Sequence, residues 1–217
     1  MKYIYSLLAL IAFSAVAMFG HVHPASASSK ETASKYVEKL GDTALTTISN
    51  KSFSKDQKQA KLDALFSDNV DFNWVGRFVM GRYWRQATDA QKSRYLKEYK
   101  KFLIVHYTSR FTDYTSGSFK ITSAQDDGDS EYTVGMQIVS SDKGAEPVLV
   151  DYRVRAEGNG FKIFDVIVEG VSLITTQRSE FGAVLNDKGI DHLIEQLAAK
   201  SKTGVAKPGA AKPGASK

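Results

Sequence analysis

Cysteine is absent from all 217 residues of the chain. Disulfide bonds, thiolate metal ligands and cysteine nucleophiles are therefore excluded, and a fold of this size must be stabilised by its apolar core. Histidine is scarce, since only His106 and His192 follow residue 27. Each lies in a predicted helix without a second candidate ligand beside it, so we predict no metal site.

The sequence motifs of several enzyme classes are also missing. No Gly-x-x-x-x-Gly-Lys-Ser/Thr segment is present to bind nucleotide phosphates, and Ser172 lacks the Gly-x-Ser-x-Gly setting of a hydrolase nucleophile. Asp191 and His192 are adjacent in a predicted helix, where their side chains point about 100° apart and cannot form a catalytic pair. Nucleotide-driven motor activity and triad hydrolysis are therefore not expected.

Two carboxylates, Asp165 and Glu169, remain candidates for acid–base chemistry. They are four residues apart on a predicted strand, and on a regular strand they would share one face. A solvated edge, or ion pairs with Arg153 and Arg155 on the neighbouring strand, is the simpler interpretation, and a hydrolase is kept as an alternative. We therefore predict that the protein is not an enzyme.

The basic residues are unevenly distributed. The formal net charge is +5, yet residues 28–199 contain 23 basic and 24 acidic side chains, a net charge of −1. The excess comes from the C-terminal lysines, which are Lys200, Lys202, Lys207, Lys212 and Lys217. A nucleic-acid-binding domain surface is therefore not predicted.

Both ends of the chain differ from its middle. An apolar run from Ile4 to Phe19 precedes Ala25-Ser26-Ala27, which predicts a signal peptide over 1–27, cleaved after Ala27, and hence export. An uncleaved anchor is the alternative, but the run is shorter than the ~20 residues of a membrane span. At the other end, the repeated Ala-Lys-Pro-Gly-Ala predicts a disordered tail over 201–217, leaving a domain over 28–200.

Periodicity predicts helices first, strands next and helices again. Ser28 or Ser29 caps the first helix, Ser54 caps the second, and Thr88 with Gln91 forms a capping box before the longest helix. The predicted helices cover 29–50, a segment after Ser54, about 89–111, 176–186 and 190–200. A short aromatic segment, 70–85, precedes the longest helix. Alternation predicts four strands, which are 118–125, 131–140, 147–156 and 161–169.

Two turn signals connect these strands into an antiparallel meander. Asp127-Gly128 and Asn159-Gly160 are typical of hairpin turns because these residues tolerate a positive φ. Helices grouped before and after a four-stranded antiparallel sheet indicate an α+β fold in which several helices pack on one face. A cavity can open between such layers.

Several segments resemble the MlaC-type family of periplasmic phospholipid-binding proteins, which belongs to the toluene-tolerance or lipid-asymmetry pathway. The most specific are GRFVMGRYWRQATDAQ (76–91) and DVIVEGVSLITTQRSEFGAVLNDKGIDHLIEQL (165–197), supported by FTDYTSGSF (111–119) and VDYR (150–153). The resemblance extends from about residue 30 to residue 200. The C-terminal tail has no counterpart in the family.

The resemblance implies a soluble periplasmic carrier with an α+β fold, a deep apolar cavity for acyl chains and no catalytic residues. Phospholipid would be its cargo, and no cofactor is implied. The implied partners are an inner-membrane ABC transporter with a mammalian-cell-entry-type subunit and an outer-membrane lipoprotein–porin complex. A monomer is expected. A carrier of another envelope lipid, such as a hopanoid, and a non-lipid binding module are the alternatives.

We place the predicted cavity between the sheet and the longest helix. Apolar periodicity is the only basis for this choice of lining residues, which are Phe78, Tyr83, Trp84, Leu103, Tyr107, Phe111, Met136, Val150, Tyr152 and Val168. Arg82 and Arg85 lie in a basic stretch before that helix. An exposed helix face is the simpler interpretation of these cations. Because guanidinium groups bind phosphates and carboxylates, the functional interpretation is that the two residues contact a lipid headgroup or an acidic partner.

Overall fold

The computed structural model describes residues 29–111, 117–140 and 146–203. The predicted signal peptide lies outside these ranges, as does the predicted tail beyond residue 203. The helices are α1 (Lys30–Ser49), α2 (Lys55–Asn69), α3 (Phe72–Met80), α4 (Asp89–Phe111) and α5 (Leu173–Thr203), with a 3₁₀ turn at Gly81–Arg85. The strands are β1 (Gly117–Gly128), β2 (Glu131–Ser140), β3 (Val148–Glu157), β4 (Gly160–Val168) and β5 (Val171–Ser172).

The predicted helix caps are confirmed. Ser29 and Ser54 each accept a hydrogen bond from a backbone N–H three residues later, at 3.3 and 3.2 Å. Before α4, the Gln91 N–H donates to Thr88 Oγ1 at 3.2 Å, and the Thr88 N–H donates to Gln91 Oε1 at 3.0 Å. Each cap satisfies donors that would otherwise have no partner in the first helical turn.

The five strands form one antiparallel sheet in the order β1-β2-β3-β4-β5. The α+β class is confirmed, whereas the predicted number of strands is wrong by one. β5 has only two residues, Val171 and Ser172, which are too few to show an alternating pattern. The tight turn before it has a positive φ at both central residues, Glu169 (49°) and Gly170 (79°).

The two predicted hairpin turns are displaced along the chain. Between β1 and β2 the turn residues are Asp129 and Ser130, with φ of 51° and 62°, because a register shift between Asp126 and Gly128 delays the turn. Between β3 and β4 the turn begins at Gly158, with φ of 57°, one residue before the predicted position. A single positive φ at the first central residue favours glycine there.

Two further segments test the predicted helices. The aromatic segment contains a helix, α3, which Asp71 caps by accepting the Trp74 N–H at 2.9 Å. The two predicted closing helices are confirmed within α5, since its backbone is not helical at Gly189 (φ 80°, ψ −177°), although the first of them begins earlier than predicted, at Leu173. This conformation favours glycine, which explains why the periodicity changes there.

The buried apolar side chains form two clusters. The helical core lies between α3, α4 and α5 and includes Tyr95, Tyr99 and Leu193, each with 0% of its surface exposed. The sheet cluster lies between α1 and one face of the sheet and includes Ala33, Val134 and Val154. In the described ranges, none of the helices is both long and apolar enough to cross a bilayer.

Candidate functional site

An apolar cavity lies between the helix pair α1–α2 and the sheet. Its volume is about 120 Å³, and it is partly open to solvent. Helical residues supply most of its lining, which consists of Val37, Leu40, Gly41, Ala44, Leu62, Leu65, Phe66, Asn69, Val70, Thr108, Met136, Tyr152 and Ile163. The end of α4 contributes only Thr108.

Matching spacing in α1 and α2 produces this lining. The α1 residues occupy positions i, i+3, i+4 and i+7 from Val37 to Ala44, and the α2 residues repeat the same spacing from Leu62 to Asn69. Residues so spaced share one face of a helix. Each helix therefore presents a continuous stripe to the cavity, and the two stripes lie opposite the sheet.

The polar side chains at the cavity carry no charge. The Asn69 carbonyl oxygen accepts a hydrogen bond from the Tyr36 hydroxyl at 2.8 Å, and its amide donates to the Leu65 carbonyl at 2.7 Å. The Thr108 hydroxyl has two acceptors, the Asp63 carboxylate at 2.5 Å and the Ile104 carbonyl at 2.7 Å, and accepts from Gln59 at 2.6 Å. These bonds leave the cavity surface suited to hydrocarbon.

Tyr152 is the titratable side chain in the cavity lining. Burial raises the pKa of its hydroxyl to about 12, because the phenolate form would lose its hydration. The hydroxyl is therefore neutral at any physiological pH. The cavity lining therefore contains no ionised side chain.

The apolar face of the sheet continues beyond the cavity. Met136, Val150 and Val168 lie in one cross-strand row, because Met136 pairs with Val150 and Val150 pairs with Val168. Adjacent strands are about 5 Å apart, so this row extends about 10 Å from Met136. Val150 is 5% exposed and Val168 is half-buried.

The structure separates the predicted lining residues into three groups. Met136 and Tyr152 line the cavity, and Val150 and Val168 lie in or beside the same apolar row. The remaining described residues pack in the helical core and do not line the cavity; they are Phe78, Tyr83, Trp84, Leu103 and Tyr107. Of these, Tyr107 stacks on Phe66 of the lining, with ring centroids 6.3 Å apart. The side chain of Phe111 lies outside the described residues. A lipid-contacting role for any of them stays a prediction.

The long helix α4 faces a different layer from the predicted one. The rings of Tyr99 and Phe181 of α5 form an edge-to-face contact, with centroids 5.8 Å apart. Phe102 packs on the same Phe181 ring at a centroid distance of 6.4 Å. The apolar stripe of α4 is therefore used for contact with α5. Periodicity identified the stripe but does not specify the layer that covers it. The missed signal was the repeated spacing in α1 and α2.

Asp165 and Glu169 do not share one face of a regular strand. Glu169 lies in the turn after β4, where its carboxylate accepts the Leu149 N–H at 2.6 Å. Asp165 is 3% exposed and accepts from Ser172 Oγ at 2.7 Å and from the Ile174 N–H at 3.3 Å. It therefore anchors the start of α5, where a helix favours negative charge.

The predicted ion pairs of the neighbouring strand are also different. Arg155 and Arg153 both pair with Glu131 on β2, at 2.6 and 3.5 Å, and not with Asp165 or Glu169. Both guanidinium groups also lie 4.7–4.8 Å from the ring centre of Phe164. The carboxylates are thus used in turns, caps and ion pairs on the sheet.

Replacing Asp165 by alanine should destabilise the fold. The change removes the acceptor of three donors, which are the Ser172 hydroxyl and the backbone N–H groups of Val166 and Ile174, and we expect a loss of about 3 kcal/mol in the free energy of unfolding. Urea denaturation followed by circular dichroism measures it. Asp165→Asn keeps an acceptor and should cost less, about 1 kcal/mol. Equal losses for the two variants would contradict the anchoring role.

Among the described residues, no group of three or more His, Asp or Glu side chains is arranged to hold a metal ion. His106 stacks on Phe102 with ring centroids 5.1 Å apart, within the packing of α4. His192 is half-buried on α5.

Arg82 and Arg85 are far from the cavity. Both lie in the 3₁₀ turn just before α4, whereas the cavity meets α4 at Thr108. From Asp89 to Thr108 the helix axis spans about 28 Å, at 1.5 Å per residue. Contact between these arginines and the headgroup of a lipid held in the cavity is therefore not favoured, and a partner surface is the better expectation.

Comparison with known proteins places the chain in a family. The family model described as MlaC protein matches residues 38–199. The chain belongs to the MlaC family. The matched range includes both lining helices in large part, the whole described sheet and most of α5.

Two curated relatives of this MlaC-family chain are distant in sequence. The intermembrane phospholipid transport system binding protein MlaC of Haemophilus influenzae is 25% identical over 132 residues, which are 59% of this chain and 61% of that protein. The toluene tolerance protein ttg2D of Pseudomonas putida is 27% identical over 158 residues, 71% of each chain.

A solved structure shares the fold. The phospholipid-binding protein of Ralstonia solanacearum, solved in complex with a phospholipid, superposes with a TM-score of 0.68 at 24% identity. The superposition covers 79% of this chain and 98% of the Ralstonia chain. At this identity the similarity establishes the common fold.

Proposed function

We propose that the protein is a periplasmic phospholipid carrier, whose acyl chains enter the space between the α1–α2 pair and the sheet. The observation that carries the proposal is the uncharged apolar cavity formed by matching stripes on two helices and one sheet face. Membership of the MlaC family supports it, as do relatives named for phospholipid transport and phospholipid binding.

A carrier is needed because hydrocarbon is costly to expose to water. Each CH₂ group contributes ~0.8 kcal/mol, so two chains with ~30 such groups would cost on the order of 25 kcal/mol in water. Transfer from a bilayer to an apolar cavity recovers most of this free energy. Exchange between membrane and carrier is then close to balanced, and direction must come from other proteins.

The cavity must widen to hold such a cargo. An apolar cavity of ~150 Å³ accommodates one benzene molecule, so the 120 Å³ found here has room for about five carbon atoms. Two acyl chains need several times this volume. The end of α2 is bonded to β4, through Lys162 Nζ and the Asp68 carbonyl and through the Asp71 N–H and the Ile163 carbonyl. We infer that lipid entry turns the α1–α2 pair away from the sheet about this end and exposes the row of Met136, Val150 and Val168 to the chains.

The contacts of α1 favour such a separation. Its hydrogen bonds to neighbouring elements are formed with α2. The Tyr36 hydroxyl donates to Asn69 at 2.8 Å, and Lys58 Nζ donates to the Ile48 carbonyl at 2.5 Å. Towards the sheet it packs with apolar side chains, including Val37. Lipid methylenes can replace apolar contacts at little cost, whereas a broken buried hydrogen bond would cost more.

The partners of the carrier belong to the same proposal. The family resemblance implies exchange with an inner-membrane ABC transporter carrying a mammalian-cell-entry-type subunit and with an outer-membrane lipoprotein–porin complex. The chain has no phosphate-binding loop, so we assign any energy input to the transporter. The predicted signal peptide would deliver the protein to the periplasm between these complexes.

Protein purified from bacterial envelope without detergent should contain phospholipid. We expect organic extraction and mass spectrometry to find one phospholipid per protein molecule, because an occupied cavity is favoured over an empty one. Polycyclic lipid in its place would identify a carrier of hopanoid type. Extracts free of lipid, from protein that also fails to take up phospholipid from vesicles, would contradict carrier function.

A further inference from the structure

A second functional surface lies at the opposite end of α4 from the cavity. We define the arginine patch as the five cations Arg77, Arg82, Arg85, Lys92 and Arg178, which surround the end of α3, the 3₁₀ turn and the facing part of α5. The four arginines are exposed. They form a basic surface on a domain whose residues 28–199 have a net charge of −1.

Three of the guanidinium groups lie on aromatic rings. Arg82 is 4.9 Å from the ring centre of Tyr83, and Arg178 is 4.7 Å from that of Phe78. Arg77 lies 5.7 Å from the ring centre of Trp84, and the Lys92 ammonium lies near the same ring. Stacking restricts each guanidinium before it binds, so less side-chain entropy is lost on binding.

Backbone geometry helps to position Arg178. Its Nη1 donates to the Phe78 carbonyl at 3.1 Å. At Gly81, where φ is 56°, an added Cβ would lie 3.2 Å from Arg178 Nη2. A side chain at Gly81 would therefore displace the guanidinium as well as strain the backbone, so glycine keeps this arginine in place.

The positive charge of the four arginines in the patch is not neutralised by neighbouring carboxylates. Lys92 pairs with Asp89 at 3.1 Å, but in the described part of the chain none of the four arginines has a carboxylate within salt-bridge distance. Glu180 and Asp187 are nearby in sequence on the exposed side of α5 and remain unpaired with the patch. Arg82 Nη2 donates to the Tyr83 hydroxyl at 2.9 Å and Arg178 Nη1 to the Phe78 carbonyl, and the other N–H groups of these arginines can bind carboxylates from outside.

We propose that the arginine patch docks a protein partner through a cluster of Asp and Glu side chains on that partner. Arginine, tyrosine and tryptophan are the residues enriched in the energetic centres of protein interfaces. Phe78, Tyr83 and Trp84 are half-buried beneath the cations, so they cannot insert into a bilayer as interfacial aromatic residues do. These observations favour an acidic protein surface over a membrane.

Docking through the patch leaves the cavity free. The ~28 Å between the start of α4 and Thr108 separates the two surfaces, so a partner can hold the carrier at one end while lipid enters at the other. The inference rests on the proposed carrier function only in expecting a partner. Cargo content is therefore measured on every variant, so that the two proposals can fail separately.

The test uses the full-length mature protein and two probes, an immobilised polyglutamate peptide and vesicles of phosphatidylcholine with phosphatidylglycerol. We expect the double variant Arg82→Glu with Arg178→Glu to weaken polyglutamate binding at least about tenfold, since attraction becomes like-charge repulsion. A second pair, Arg77→Glu with Arg85→Glu, should act similarly. Both should retain bound phospholipid.

The matched control is Lys35→Glu with Lys39→Glu, which makes the same change of charge on the exposed face of α1. It should change polyglutamate binding by less than about twofold, because it alters the net charge of the protein but leaves the arginine patch unchanged. Equal weakening by patch and control pairs would overturn the proposal. Loss of vesicle binding alone in the patch variants would assign the patch to membranes instead.

Discussion

Replacing Ala44 by tryptophan should remove most of the bound phospholipid. Ala44 lies in the α1 stripe that lines the cavity, and an indole there occupies a space that holds only about five carbon atoms. Excluding even two CH₂ groups costs ~1.6 kcal/mol, more than the ~1.4 kcal/mol of a tenfold change in affinity. We therefore expect at least about a tenfold loss of lipid, measured by extraction and mass spectrometry.

The matched control places the same side chain outside the cavity. Ala64 is exposed on α2, so Ala64→Trp adds an indole without filling the apolar space. We expect its lipid content to equal that of the parent protein. Thermal unfolding of both variants checks the fold, since overpacking at Ala44 should cost about 1–3 kcal/mol. Normal cargo in a folded Ala44→Trp protein would place the lipid elsewhere.

Linking α1 to the sheet should stop lipid exchange. Gly41 faces the ring of Phe119, since a Cβ on Gly41 would lie 2.6 Å from that ring. The double variant Gly41→Cys with Phe119→Cys removes the ring and places two thiols in a chain that otherwise has none. A short bis-maleimide linker with a cleavable disulfide would then hold α1 on β1.

We expect the linked protein to exchange fluorescent phospholipid with vesicles at least about tenfold more slowly, a change equivalent to ~1.4 kcal/mol. Reduction of the linker should restore the rate, because the α1–α2 pair can again separate from the sheet. Gly41→Cys alone, treated with the same reagent, controls for modification. Unchanged exchange in fully linked protein would show that lipid enters without movement of α1.

Local features of the fold were readable from the chain. The caps at Ser29, Ser54 and Thr88 depend on side chains that bond to nearby backbone groups, so sequence alone locates them. Alternation over the four long strands is likewise local. The β1–β2 turn was missed because its position depends on a register shift near Asp127, which cross-strand pairing decides.

The position of the cavity was not predictable from one helix at a time. The apolar stripe of α4 would suit the lining of a cavity, but it packs on Phe181 and other side chains of α5. Only the arrangement of layers distinguishes a filled interface from one with a gap. Of the predicted lining, Met136 and Tyr152 reach the cavity because the sheet presents the same face to both helices.

The patch was partly visible in the sequence. Arg82 and Arg85 stood out as cations close together in the chain, whereas Arg178 is about a hundred residues away and joins them only because α5 packs beside α3. Their distance from the cavity also required the fold. The stacking of Arg178 on Phe78 could not have been derived from either segment alone.

Photocrosslinking most directly tests whether acyl chains lie between α1–α2 and the sheet. Protein loaded with a phospholipid carrying a diazirine on one acyl chain would be irradiated, digested and sequenced by mass spectrometry. We predict adducts on the facing stripes from Val37 to Ala44 and from Leu62 to Asn69, and on β2 and β3 around Met136 and Tyr152. Adducts confined to the α3–α5 core or to the outer surface would contradict this account.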